Sequence, residues 1–291
     1  MGAKSSLTWQ SIFRWGSAEL SSAGVADAAW QAEVALRAVL DITRAEFFAA
    51  PEKPIAHDYV QCYQTDIARL AAGVPLQYLL GRTEFYGREF ILTPAVLIPR
   101  PDTEILVEVA LAKLAHLASL YSEELEVLDM CTGSGCVGLS LAASGYKARL
   151  TLTDVSPAAL EVAATNTRHL GLADRVLLRE GSLWQPVQGR KFHLVVSNPP
   201  YIPSREIATL DPAVQEEPRL ALDGGPDGLE FYRHIVAQAP AFLHPAGCLA
   251  VEIGATQGAD VAAMFSAAGF GEITLSQDLA GRDRVCAGRR C

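Results

Sequence analysis

Metal-ligand spacing, long apolar runs and an excess of positive charge are all missing from this sequence. The cysteines, Cys62, Cys131, Cys136, Cys248, Cys286 and Cys291, form no CxxC pair, and no His/Cys cluster has zinc spacing. No metal is therefore expected. The 6 His show no ligand or triad spacing either. Scattered thiols in a chain of 291 residues fit a reduced, cytoplasmic protein better than a disulfide framework. No segment approaches 18 continuous apolar residues, so no membrane-spanning helix is expected. Positive charge is in deficit, with 24 Lys and Arg against 33 Asp and Glu and a net charge of −9. Tight, sequence-independent binding to nucleic acid draws mostly on Lys and Arg that neutralise phosphates, so that class is disfavoured. Internal repeats and low-complexity linkers are also lacking.

What is present is the balance of a soluble globular protein, 50% apolar and 20% charged, able to bury a substantial core. Residues 1–75 read as helices only, and they carry 6 basic and 8 acidic residues. The first 18 are Ser-rich and free of acid, with Lys4 and Arg14, a trace of transit-peptide composition. Trp9, Ile12, Phe13 and Leu20 nevertheless stand at helical spacing and read as a core-facing stripe. Trp30, Val34 and Ala38 continue a helical face. Thr43 with Glu46 has the capping-box pattern, and Tyr59, Tyr63, Ile67 and Leu70 mark a further apolar stripe.

Residues 76–99 read as a β-hairpin linker, built from the runs Tyr78-Leu79-Leu80, Phe85-Tyr86-Gly87 and Phe90-Ile91-Leu92. Asp102 is positioned to N-cap a helix running to about Leu120. From there the pattern alternates between strand and helix as in an α/β domain over residues 100–291. Expected strands are Glu126–Asp129, Leu150–Asp154, Val176–Arg179, His193–Ser197 and Cys248–Ile253. Helices lie between them, one after Ser156-Pro157 and one from Gly228 to Ala239. Glu272–Leu275 and Arg284–Ala287 are expected to add a hairpin at one edge of the sheet.

The segment from Val127 to Gly138 is a strand, a glycine turn and a helix start, and Gly133, Gly135 and Gly138 spell GxGxxG. Glycines let backbone approach a ligand closely. With Asp154 ending the next strand, the pattern fits a nicotinamide dinucleotide as well as S-adenosylmethionine. Asp129, on the strand before the loop, favours the second, because a carboxylate there would repel a pyrophosphate and attract an ammonium group. Asp154 could accept from ribose hydroxyls of either cofactor.

Asn198-Pro199-Pro200-Tyr201 follows a buried strand at its carboxyl end, where ligands of open α/β sheets bind. Two prolines remove backbone donors and leave carbonyls free to accept. The Asn198 side-chain oxygen and the Pro199 carbonyl together offer two acceptors to one NH₂ group, and Tyr201 supplies a flat wall. A planar amide or amino nitrogen is a poor nucleophile, so such a site would work by positioning and preorganised polarity without a strong base.

With these residues the sequence resembles the protein-(glutamine-N5) methyltransferases of peptide chain release factors, the PrmC/HemK family. The matching segments are Pro75–Gly81, Glu84–Gly87, Leu97–Glu104, the glycine loop, Ser197–Ile202, Glu217–Leu222, Gly224–Gly228 and Gly281–Arg284. They run in order through most of the chain. The resemblance implies a seven-stranded, Rossmann-like class I methyltransferase domain behind a helical substrate-recognition domain of residues 1–75. It implies methyl transfer from S-adenosylmethionine, leaving S-adenosylhomocysteine, to the side-chain amide of the glutamine in a Gly-Gly-Gln motif of release factors. It assigns Cys131, Thr132, Gly133, Ser134 and Gly135 to the methionine end of the cofactor, Asp154 to its ribose, and Ser182, Leu183 and Trp184 to its adenine. Asn198, Pro199, Pro200 and Tyr201 would hold the glutamine, with Asn198 also beside the cofactor. Two departures stand out: Cys131 occupies a usual glycine position, and Ser182 a position that is commonly acidic.

Arg100, Glu104 and Glu252 carry open roles, and Asp223–Gly228 reads most simply as a compound turn. Three rival functions arise from parts of the pattern. The same acceptors would serve an adenine-N6 methyltransferase of DNA or RNA, which would need a basic groove and, on a duplex, base flipping. The glycine loop alone would serve a nicotinamide dehydrogenase, and a catalytically silent adaptor could keep the cofactor fold. The expected partner is a class I release factor, with no nucleic acid and no membrane, and the enzyme acting on it is expected to be a monomer.

Overall fold

The computed structural model describes residues 7–291; Lys4 of the basic N-terminal pattern lies outside them. Two compact units are present. One comprises the residues up to Gly81 together with Asp211–Glu216, the other Arg82–Leu210 and Glu217–Cys291.

The first unit is helical: α1 (Trp9–Ser22), α2 (Ala28–Leu40), α3 (Arg44–Ala49), α4 (His57–Ala71) and the short α5 (Leu76–Leu80). Its start signals work as the residues dictate. Thr8 and Ser11 form a capping box at α1, and Thr43 and Glu46 another at α3. The core gathers Trp9, Ile12, Leu20, Leu36, Tyr63, Ile67 and Leu70, all buried. Trp30 and Tyr59 depart from the expected stripes and stand exposed: α2 buries the face opposite Trp30 through Ala32, Ala35 and Leu36, and α4 buries Val60, Tyr63, Ile67 and Leu70. Tyr78-Leu79-Leu80 also departs: it is a turn of helix closed by Gly81 rather than a strand.

In the second unit β1 (Arg82–Phe85) and β2 (Arg88–Ile91) pair as an antiparallel hairpin. Phe85 and Phe90 are buried in the same cluster as α6 (Glu104–Leu120), so the hairpin belongs to this unit rather than standing apart as a linker. Next come β3 (Leu125–Met130), α7 (Cys136–Ala142), β4 (Ala148–Asp154), α8 (Pro157–His169), β5 (Val176–Glu180) and β6 (Phe192–Ser197). The chain continues through α9 (Pro212–Gln215, part of the first unit), α10 (Arg219–Leu222), α11 (Glu230–Phe242), β7 (Leu243–Glu252), α12 (Gly258–Ala267), β8 (Phe270–Gln277) and β9 (Asp283–Arg290).

Seven strands make one sheet in the order β5-β4-β3-β6-β7-β9-β8. The first five are parallel, and β9 runs antiparallel between β7 and β8. The late hairpin is thus interleaved, with β8 alone at the edge. Alternation sorts the central strands onto two cores. Val127, Leu194 and Val196 pack on the α6–α7 side, and Leu128, Met130 and Val195 on the α11–α12 side. Burial of each such aliphatic side chain stabilises the fold by about 1.5–3 kcal/mol. Sequence order reverses at β3, whose neighbours are β4 and β6. The crevice at the carboxyl ends of β3 and β6 is therefore the switch point where this architecture binds ligands.

Asp102 does not cap α6. It lies in a 3₁₀ turn, Pro101–Thr103, and its carboxylate pairs with Arg284 at 3.0 Å. Among the described residues no helix is long and apolar enough to cross a membrane, and no group of three or more His, Cys, Asp or Glu could hold a metal.

Candidate active site

A cleft opens at that switch point, the concave kind of site that holds small molecules. Asp129, Cys131, Thr132, Gly133, Ser134, Asp154, Ser182, Leu183, Asn198 and Pro200 line it. Register explains their convergence: Asp129 pairs with Val196 and Met130 with Ser197, so the glycine loop and Asn198 leave adjacent strands side by side. The Ser197 hydroxyl donates to the Met130 carbonyl at 2.8 Å and locks the two ends together.

Asp129 is the buried pivot of the loop. Its Oδ2 accepts from the Thr132 hydroxyl at 2.6 Å and from the Gly138 backbone at 2.9 Å, which leaves Oδ1 for a ligand. Gly138 is required by closeness: a Cβ there would stand 2.8 Å from Asp129 Oδ2. Burial pushes the Asp129 carboxyl up to about 7, against the pull of those two hydrogen bonds. Cys131, at the usual glycine position, takes φ 59, the left-handed conformation a glycine would adopt. Burial holds the Cys131 and Cys136 thiols up at about 12, so neither is a thiolate nucleophile near neutrality.

Asp154 accepts from the Gly133 backbone at 2.9 Å through one oxygen and from the Ser156 backbone at 2.9 Å through the other. Each oxygen keeps a lone pair for a ligand hydroxyl. Leu183, with φ 48, faces the cleft, whereas Trp184 is turned away from it. Its indole is 2% exposed and stacks on Phe242 at 4.4 Å in the core. The assignment of Trp184 to the adenine wall is corrected accordingly: in this turn Leu183 lines the cleft while the Trp184 ring is buried in the core. Gly135, Pro199 and Tyr201 also lie off the cleft wall. Gly135 starts α7, and the Tyr201 hydroxyl reaches Glu252 at 3.3 Å.

The tetrapeptide is braced from behind. A Cβ at Gly224 would stand 2.7 Å from the Tyr201 Cα, so the turn at 223–228 is a backbone buttress that only glycine permits there. Gln257 donates to the Tyr201 and Gly228 carbonyls at 3.0 and 3.1 Å and ties both segments to the end of β7. The roles left open resolve by contact. Glu104 accepts from the Tyr86 backbone at 2.8 Å and holds the hairpin turn. Arg100 pairs with buried Glu217, which also accepts from the Ile98 backbone at 3.0 Å, so two cleft-lining segments are pinned together.

Two functional residues escaped sequence reading. Thr103 lines the cleft and accepts from Asn198 Nδ2 at 3.3 Å. Asn166, on α8, donates to the carbonyls of Ile91 at 3.0 Å and Ser134 at 2.9 Å, tying the hairpin to the glycine loop. Thr103 stands inside the family-like segment 97–104, whereas nothing in the local pattern marks Asn166.

Strand order, glycine loop and acidic strand end together define a Rossmann-like methyltransferase. The PrmC N-terminal domain model matches residues 11–81 and the methyltransferase small domain model residues 107–216. The chain is 42% identical to a release factor glutamine methyltransferase of Geobacter sulfurreducens, covering 97% of this chain and 96% of that one. It is 45% identical to the enzyme of that name from Moorella thermoacetica, over 91% and 92%. The T. thermophilus 16S rRNA N2 G1207 methyltransferase, solved with AdoMet and guanosine, shares the fold at a TM-score of 0.51 and 16% identity, over 72% of this chain and 50% of that one. The chain belongs to the release factor glutamine methyltransferase family.

Proposed function

We propose that the chain methylates the side-chain amide nitrogen of the glutamine in a Gly-Gly-Gln motif of class I release factors, using S-adenosylmethionine. The single observation that carries the chemistry is Asn198: its Nδ2 is engaged by Thr103 at 3.3 Å, which leaves Oδ1 free at the cleft as an acceptor. Family membership supports the release factor as substrate.

The residues present fit the cofactor. Asp129 offers one unshared carboxylate oxygen to an ammonium group, Asp154 offers lone pairs to ribose hydroxyls, and Ser182 and Leu183 line the part of the cleft suited to a base. When bound, S-adenosylmethionine supplies an electrophilic methyl group on a sulfonium. The work of this chain is positioning. Asn198 Oδ1 would accept one hydrogen of the substrate amide, turning its lone pair toward the cofactor and stabilising positive charge that develops on nitrogen. The amide proton is lost after methyl transfer, so a strong base is not needed at the bond-forming moment. We assign substrate recognition to the helical unit and expect the enzyme to act as a cytoplasmic monomer.

Asn198→Ala tests this reading. We expect turnover on a release factor to fall by about 100–1,000-fold, the cost of removing one preorganised polar contact to developing charge. Cofactor affinity by calorimetry should be retained. An Asn198→Ala enzyme with wild-type turnover would refute it.

A further inference from the structure

Methylation of a glutamine amide, the proposed function on which this inference rests, fixes where the substrate backbone must lie. A glutamine side chain is short. For its amide to reach Asn198, which lines the cleft, its own backbone has to come down to the mouth. Whatever stands at the mouth beside Asn198 therefore meets the residues next to the glutamine.

We propose that Leu220 is a specificity-determining residue, held on a fixed ledge at the mouth of the cleft, that selects a glutamine preceded by glycine. The ledge is the short helix α10. Leu220 lines the cleft and is nevertheless 55% exposed. The other large side chains of α10 are already engaged. Arg219 turns to Asp223 at 2.9 Å, and Leu222 is buried. Leu220 is left as the apolar side chain that this helix offers to an incoming segment.

The ledge is anchored at both ends. Before α10, buried Glu217 pairs with Arg100 and accepts from the Ile98 backbone at 3.0 Å. After it, the Leu222 carbonyl accepts from the Ile202 backbone at 3.0 Å, and the Gly224 N–H donates to the Ile202 carbonyl at 2.8 Å. Ile202 directly follows Tyr201, so this second anchor sets α10 beside the tetrapeptide. The residues assigned to the cofactor leave from β3, β4 and β5. The tetrapeptide leaves from β6, on the other side of β3 in the sheet. Leu220 therefore belongs to the substrate's half of the cleft.

A leucine held in this way both offers apolar contact and takes up room. Glycine has no Cβ, so a glycine before the glutamine can lie against the Leu220 side chain and remove apolar surface of both from water. Any other residue brings a Cβ that has to share the space with Leu220. A ledge pinned at both ends yields little, and the crowding counts against that substrate. Leu220 thus reads the neighbour of the glutamine, whereas Asn198 reads its amide.

The test is a cycle of two enzymes and two substrates. Wild type and Leu220→Ala each act on a release factor and on the same factor with the glycine just before the glutamine replaced by Ala. We expect wild-type kcat/KM to be about 10–100-fold lower on the Ala factor. Leu220→Ala should recover about tenfold of that loss, while its KM for the unaltered factor rises about 3–10-fold. Leu220→Met, of similar volume, should behave as wild type. Cofactor affinity by calorimetry should be unchanged in both variants. Comparing ratios between the two factors cancels any general defect of the variant enzyme or of the Ala factor. An equal ratio in wild type and Leu220→Ala overturns the ledge and leaves the proposed function standing. So does a loss of cofactor affinity in Leu220→Ala that matches its loss of turnover, which would place Leu220 against the cofactor. Failure of the wild type to methylate the glutamine of the unaltered factor overturns that function itself, and the ledge with it.

Discussion

Replacing Asp129 by Asn should stabilise the cofactor-free protein at alkaline pH while weakening cofactor binding, and the structure sets the size of both effects. Asp129 is 1% exposed and its carboxyl is raised to about 7, with burial the largest cause. An unfolded aspartate titrates near 3.9. The folded chain therefore holds a proton that the unfolded chain has already released. The associated stability is complete below the unfolded value and is lost as pH rises through about 7. At 1.36 kcal/mol per pH unit the full loss is roughly 4 kcal/mol, of which roughly 3 kcal/mol falls between pH 5 and 8.

Asparagine keeps an oxygen for the Thr132 hydroxyl and the Gly138 amide, the two groups that Asp129 Oδ2 serves, but it has no proton to lose. Urea unfolding of wild type and Asp129→Asn, both without cofactor, should show their stability difference shifting toward the variant by roughly 3 kcal/mol from pH 5 to 8. Glu252 titrates in the same window, yet it is common to both proteins and drops out of the difference. Calorimetry at pH 8 should show cofactor affinity lowered by about 10–100-fold, the loss of one charge-assisted hydrogen bond. A stability difference that stays constant from pH 5 to 8 would refute the buried, raised carboxyl. Unchanged affinity would remove Asp129 from the ammonium site.

Other perturbations draw on the same geometry. Gly224→Ala places a Cβ 2.7 Å from the Tyr201 Cα; we expect about 1–3 kcal/mol of destabilisation in denaturant melts, with turnover reduced more than cofactor affinity. Arg100→Ala leaves Glu217 buried without its cation. That should cost about 3–5 kcal/mol in the same melts and raise cofactor KM by loosening the segments on both sides of the cleft.

Much of the fold was legible because its signals are local. The strand His193–Ser197 carries the apolar run Leu194-Val195-Val196, as a sheet covered on both faces requires, and the caps Thr43–Glu46 and Ser156–Pro157 formed as written. The misreadings came where tertiary contact overrode local pattern. Asp102 had the sequence position of a helix cap but found Arg284, which lies far along the chain. Trp30 stood on an apolar stripe, yet the alanines of α2 bury the other face of the helix. In the candidate site, the glycine loop and the tetrapeptide could be read because their backbone demands restrict residue type. Trp184 could not, since its ring is drawn into the core by stacking on Phe242, a contact distant in sequence. Glu252, Gln257 and Asn166 act through contacts with distant segments, and no spacing rule exposes such contacts.

Transfer of labelled methyl groups tests the central claim most directly. The protein would be incubated with S-adenosylmethionine labelled on its methyl group and, in separate reactions, a class I release factor, the same factor with its Gly-Gly-Gln glutamine replaced by Ala, and nucleic acid. We expect label on the first only, mapped by fragment-ion mass spectrometry to the glutamine side chain. Equal label on the Ala variant, or label on nucleic acid alone, would contradict methylation of that glutamine.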